Sequence, residues 1–110
     1  MGKTFYMLLD VDHAFYKGEF NIDCKVIKIS DDLDEIIDEL HAYVKRWNDD
    51  TREDINDGGF NDDETVWMED NPMDHGNVYE ELVPYYRHEY ANGDWHAMYV
   101  RIDECDLEDN

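Results

Sequence analysis

Between Phe5 and Phe15 apolar side chains fall on alternate positions. Phe5, Met7, Leu9, Val11 and Phe15 thereby share one face of an extended strand, with the period of two that marks a β-strand. Lys17 and Gly18 follow as a two-residue turn. With Tyr16 opposite Glu19, Phe15 faces Phe20, Val11 faces Cys24, Leu9 faces Val26 and Asp10 faces Lys25. Apolar meets apolar and acid meets base, so the register of this long hairpin is self-consistent.

The period then changes. Leu33, Ile36, Ile37, Leu40, Val44 and Trp47 recur at three-and-four spacing, one apolar stripe of a helix from about Asp31 to Trp47. Ser30 or Asp32 can cap it. Asp31, Asp34 and Glu35 suit its positive N-terminal end, and Lys45 and Arg46 suit its last turn. The stripe must pack on the sheet, while Asp34, Asp38 and the other outward acids stay in water.

From Asn48 to Asn77 the periodicity gives way to Asp, Asn and Gly, apart from a short strand candidate, "TVWME". "NVYEELVP" offers one or two helical turns, with Asn77 as cap, Glu80 three residues on and Pro84 as the stop. The chain alternates again around Asn92-Gly93, a strong hairpin-turn signal that places Tyr86 opposite Tyr99 and Tyr90 opposite Trp95. A helix from Pro84 to Ala91, capped by Asn92 and Gly93, is the competing reading. The expected fold is a single α+β domain over residues 1–110. An antiparallel sheet built from N- and C-terminal hairpins is packed by one main amphipathic helix, with an acidic irregular middle segment.

Charge shifts attention from fold to function. The net charge is −21 over 110 residues, and it is uneven. Residues 1–30 carry four acids and four bases, whereas residues 31–110 carry 26 acids against five bases. The stretch from Asp49 to Glu81 has thirteen acids against Arg52 alone. Such a density repels nucleic acid and anionic lipid and attracts cationic partners. With 42% apolar and 14% aromatic residues, the chain has too much anchoring material for a disordered acidic tail, so the acid coats a folded body. Cys24 and Cys105 lie far apart with no metal-type spacing. No leader is visible and no apolar run reaches membrane-spanning length, so a reduced, cytoplasmic protein is expected, in the host cytoplasm if a phage encodes it.

Candidate chemistry is sparse. "DINDGGFNDDE" has the acid density of a calcium loop. Setting Gly58 at the sixth position puts Asp57 fifth and Glu64 twelfth, but it also puts Ile55 third, where an oxygen ligand is required. No metal and no cofactor are expected. "YMLLDVDH" resembles, over a few residues, the strand end of haloacid-dehalogenase-type phosphotransferases. That resemblance implies Asp10 and Asp12 at the tip of a parallel strand in a larger α/β fold, whereas the antiparallel hairpin sets Asp10 against Lys25. The five histidines form no zinc spacing, and Ser30, the single serine, reads as a helix cap. An enzyme is not expected.

The acidic surface remains. Duplex DNA carries one negative charge per about 1.7 Å of axis, and a folded surface crowded with carboxylates can compete for a basic groove. In charge, size and compactness the chain resembles the small acidic inhibitors by which phages and mobile elements block restriction or CRISPR enzymes through DNA mimicry. That resemblance implies an anti-CRISPR or anti-restriction type of inhibitor. Its partner is a basic nucleic-acid-binding protein such as a nuclease or Cas-type effector, with no direct nucleic acid and no membrane. The partner-binding residues are expected among Asp49, Asp50, Glu53, Asp54, Asp57, Phe60, Asp62, Asp63, Glu64, Trp67, Glu69, Asp70, Asp74, Glu80 and Glu81. The alternative is an interaction module anchored by aromatics such as Phe60 and Trp67, with the acid providing solubility and on-rate. A calcium-responsive module is the third reading.

Overall fold

Lys17 and Gly18 both have positive φ, 50° and 81°. This is the type I′ geometry whose twist matches the strands it joins. In this computed structural model, which describes residues 3–74, 78–79 and 81–107, the turn links β1 (Lys3–Tyr16) to β2 (Glu19–Ser30). The pairing is the one read from the sequence: Tyr16 with Glu19, Phe15 with Phe20, Val11 with Cys24, Asp10 with Lys25 and Leu9 with Val26. Beyond Leu9 a bulge intervenes, because Leu8 pairs with Lys28 and Ile27 is left over. Ile27 packs instead against the core cluster.

Three further strands, β3 (Thr65–Met68), β4 (Val83–Glu89) and β5 (Trp95–Leu107), complete an antiparallel sheet in the order β2-β1-β5-β4-β3. One helix, α1 (Leu33–Asn56), packs on it. The α+β architecture built from two terminal hairpins and one main helix is therefore present. The long hairpin stretches the molecule to 56 Å along its longest axis.

Asp32 is the N-cap of α1. Its Oδ1 accepts from the Asp34 and Glu35 amides at 3.0 and 3.4 Å, while Ser30 Oγ accepts from the Asp32 amide at 3.1 Å. Both candidate caps thus contribute. The expected stop at Trp47 is wrong, since α1 continues to Asn56 over 24 residues. Apolar periodicity ends at Trp47, but the buried stripe of Ile36, Leu40 and Val44 is continued by polar residues, Asn48 and Thr51. Each has its donor satisfied in place, while Asn48 Oδ1 has no partner among the described residues. Thr51 Oγ1 donates to the Trp47 carbonyl at 2.9 Å, and Asn48 Nδ2 donates to the Glu69 carbonyl at 3.2 Å and to Asp70 Oδ1 at 3.0 Å. Lys45 and Arg46 consequently lie mid-helix, and no base occupies the last turn.

Two other expectations change. In the described part of "NVYEELVP" no helical turn forms: the Ile102 amide donates to the Val78 carbonyl at 2.6 Å, Tyr79 bridges to Ile102, Glu81 lies in a bend, and Val83 and Pro84 begin β4. The proposed cap Asn77 and its partner Glu80 lie outside the described residues. The C-terminal segment is the hairpin rather than the helix, with its register one residue away from that expected. Tyr86 faces Met98, Glu89 faces Trp95, and His88 faces His96. The loop closes between the Tyr90 amide and the Asp94 carbonyl at 2.8 Å, with Gly93 at φ 92°, giving three loop residues rather than two. A one-residue slip exchanges faces, so His88 and His96 share a face, and the rings of Tyr86 and His96 meet there at 5.8 Å.

The decisive feature is which side of β1 the helix covers. The core joins Leu8 of β1 to Ile36, Leu40 and Val44 of α1, with Tyr85, Tyr86, Met98, Val100 and Ile102 from β4 and β5. Those β1 positions are the even ones. The period-two stripe Phe5, Met7, Leu9, Val11 and Phe15 lies on the opposite face. By register it continues through Phe20, Ile22, Cys24, Val26 and Ile29 of β2 and through Trp95, Ala97, Tyr99 and Cys105 of β5. Four consecutive apolar residues, "YMLL" at 6–9, encode a strand apolar on both sides. Among the described residues no element packs on this second face.

Candidate acidic interface

The prolonged α1 reorganises the acidic segment. Asp50, Glu53 and Asp54 lie in its last two turns and Asp57 is its C-cap. Their spacing of three, four and seven residues places them on one helix face. All four are exposed and none is in an ion pair among the described residues. The negative end of the helix macrodipole coincides with them, and Asp50 with Asp54, like Glu53 with Asp57, is a like-charge pair four residues apart. The chain tolerates a local electrostatic cost here rather than placing a base in that turn.

Beyond the C-cap, the Glu64 amide donates to the Asn61 carbonyl at 3.1 Å, making Asp62 and Asp63 the exposed centre of a turn. Glu64 itself faces inward. Its Oε2 lies 2.8 Å from His88 Nε2, with both side chains nearly covered, and this hydrogen bond holds the Glu64 carboxyl below its ordinary range. The Phe60 ring stands edge-on to the same imidazole at 4.7 Å. Glu64 and Phe60 thus fasten the loop to β4.

Other expected residues are neutralised or turned elsewhere. Asp49 is bracketed by Lys45 at 2.6 Å and Arg52 at 3.2 Å, and the Lys45 hydrogen bond lowers its pKa first. Arg52 Nη2 reaches both oxygens of Asp70, at 2.8 and 2.7 Å, which lowers the Asp70 pKa, helped by Asn48. Glu69 Oε1 accepts from the Asn71 amide at 3.1 Å, and Asp74 accepts from the Asn71 side chain within the 3-10 turn Pro72–Asp74. Glu81 is exposed, and Glu80 lies outside the described residues. Trp67 of β3, opposite Arg87 of β4, lies on the open apolar face of the sheet, away from α1. The fourteen described candidates therefore do not form one surface. Six of them, Asp50, Glu53, Asp54, Asp57, Asp62 and Asp63, form an uncompensated group along the end of α1 and the next turn.

The calcium-loop pattern is broken by the same geometry, since Glu53 and Ile55 are helical and Glu64 is held by His88. Asp10 and Asp12 lie within an antiparallel strand, not at the tip of a parallel one. The open apolar face escaped the sequence reading, although the alternation of Phe20, Ile22, Cys24 and Val26 beside an already apolar β1 carried the signal. Among the described residues no helix is long and apolar enough to cross a membrane. No protein-family model, no curated protein and no solved structure matches this chain.

Proposed function

We propose that the stripe Asp50, Glu53, Asp54 and Asp57, extended by Asp62 and Asp63, stands in for a nucleic-acid strand in the basic groove of a nuclease or Cas-type effector. The protein then acts as a DNA-mimic inhibitor in the cytoplasm of its host, without catalysis of its own. The observation that carries this reading is the charge spacing. Four unpaired carboxylates are spread over the seven steps from Asp50 to the C-cap Asp57, which at about 1.5 Å rise gives uneven intervals with a mean of roughly 3.5 Å. Phosphates along one DNA strand advance about 3.4 Å. The electrostatic cost of concentrating these acids at a helix C-terminus supports the same reading, because fold stability alone favours bases there.

The test is binding to a basic nucleic-acid-binding enzyme in competition with duplex DNA across a salt series. The expected result is affinity that falls steeply with salt and is lost when all six acids are converted to Asn or Gln. Binding unchanged by that sixfold neutralisation overturns the reading. A second reading, an aromatic-anchored interaction module, is favoured by Trp67, which is 44% exposed on the apolar sheet face. There, Trp67→Ala removes binding while the neutralised variant keeps its dissociation rate.

A further inference from the structure

We propose that the open face of the sheet is an interface with a second copy of this chain, the two sheets stacking face to face about a two-fold axis. The inference does not rest on the inhibitor reading.

The face is large enough. Phe20, Ile22, Val26, Ile29 and Trp67 are between 44% and 61% exposed on it. At roughly 150–250 Å² for large side chains, these five offer on the order of 500 Å². Half-buried neighbours such as Phe15 and Trp95 bring the patch toward the ~800 Å² per partner of a stable interface.

Charge selects the occupant. In a chain of net charge −21 this face is close to neutral. Arg87 pairs with Glu89 at 2.9 Å and Arg101 pairs with Asp103, so both arginines of the face are already answered, and Lys3 stands at its far end. A basic partner finds its counter-charges on α1, on the other side of the sheet. An identical apolar face is the complement that keeps both arginine pairs intact and leaves Lys3, at its end, in water. Stacked sheets lie about 10 Å apart, and each α1 sits outside its own sheet, so the two acidic layers end up roughly 30 Å apart. That is several Debye lengths at physiological salt, where one is about 8 Å, and the repulsion between copies is screened.

Shape gives the symmetry. At one end of the face, Phe5, Met7, Ile29 and Cys105 line an apolar hollow of about 250 Å³. At the turn end, the Trp95 ring gathers Phe15 and Phe20 at centroid distances of 6.5 and 5.8 Å. A two-fold axis crossing the strands lays each aromatic group over the other copy's hollow, the reciprocal contact an isologous interface requires. It also runs β2 antiparallel over β2 of the second copy, with Phe20 over Ile29 and Cys24 close to the axis.

Sedimentation velocity of the whole chain at high-micromolar concentration, in low and high salt, tests this. The expected particle has twice the 13.2 kDa chain mass, and salt leaves it intact or strengthens it. Ile22→Lys with Ile29→Lys places four lysines in each dimer and is expected to weaken association about a hundredfold or more, while leaving the melting temperature unchanged at protein concentrations low enough for the wild type to be monomeric, because both side chains are exposed on the single chain. A short bismaleimide applied to the Cys105→Ser chain is expected to give covalent dimer through Cys24, and to lose it with the two lysines. A wild-type chain that stays monomeric at every salt concentration overturns the proposal. So does a dimer that survives both lysines, a dimer that fails to crosslink at Cys24, or occupation of this face by a different protein instead of a second copy.

Discussion

The Tyr43 hydroxyl, on the inner side of α1, donates to the carboxylate of Asp10 in the middle of β1. Tyr85 brings a second hydroxyl within 3.3 Å of both Asp10 oxygens. Asp10 shares its register position with Lys25, as the sequence implied, but no ion pair joins them. Its side chain occupies an even position, beneath the helix, where Lys25 on the exposed edge strand does not cover it. Two phenols therefore replace the expected ammonium, and they tie α1, β1 and β4 together through one buried acid.

Burial pushes the Asp10 carboxyl up from an ordinary 3.8 to about 6, against the opposing hydrogen bond from Tyr43. The folded chain thus holds a proton between these pH values that the unfolded chain has released. Stability contributed by this group is fully present below about pH 4 and is lost as pH rises through 6, an effect of up to roughly 3 kcal/mol. The expected outcome is a higher melting temperature at pH 4.5 than at pH 7.5, with the difference clearly reduced in Asp10→Asn. Equal pH slopes for the two proteins would show that general charge repulsion alone sets the trend.

Tyr43→Phe removes the principal donor to the ionised acid while keeping the ring. At pH 7.5 it is expected to cost about 1–3 kcal/mol in denaturant unfolding. At pH 4.5, where Asp10 is neutral, the loss shrinks by half or more. A cost independent of pH would place the contribution of Tyr43 in packing rather than in its hydroxyl.

Asn48 lets the helix pass Trp47. Asn48→Leu keeps volume but leaves the Glu69 carbonyl without this donor, and is expected to destabilise by about 2 kcal/mol. Hydrogen exchange locates the damage: amide protection is lost first after Trp47, with the first turns of α1 retained.

The acids at the end of α1 oppose the helix they stand on. Glu53→Gln and Asp54→Asn are each expected to stabilise by a few tenths to about 1 kcal/mol at low ionic strength, less at high salt. Both are expected to weaken partner binding. Thermal melts across a salt series, paired with competition binding, separate the two effects.

Glu64 behaves in the opposite way to its neighbours Asp62 and Asp63. Its pKa is lowered by His88, so it stabilises the fold above the ordinary glutamate range and loses that contribution as pH falls through the lowered value. Glu64→Gln is expected to lower the melting temperature at pH 7, whereas Asp62→Asn and Asp63→Asn leave it unchanged or raise it.

The sequence by itself determined the elements whose signals are local. The Lys17-Gly18 turn fixes the register of the first hairpin pair by pair, three-and-four spacing locates the start and inner face of α1, and Asn92-Gly93 marks a hairpin. It also determined that an acidic coat covers a folded body, because composition needs no geometry. Where the outcome depended on a distant partner, local pattern failed. Helix continuation past Trp47 required acceptors from Glu69 and Asp70. The second hairpin slipped by one residue because Tyr90 closes on Asp94. Which acids remain uncompensated depended on where Arg52, Lys45 and His88 reached. Above all, a β1 strand apolar on both sides leaves open which face receives the helix. Only the tertiary structure decided that, by placing Leu8 and Asp10 under α1 and leaving Met7, Leu9 and Val11 on the far side, since burial is a property of the assembled layers and not of the alternation along one strand.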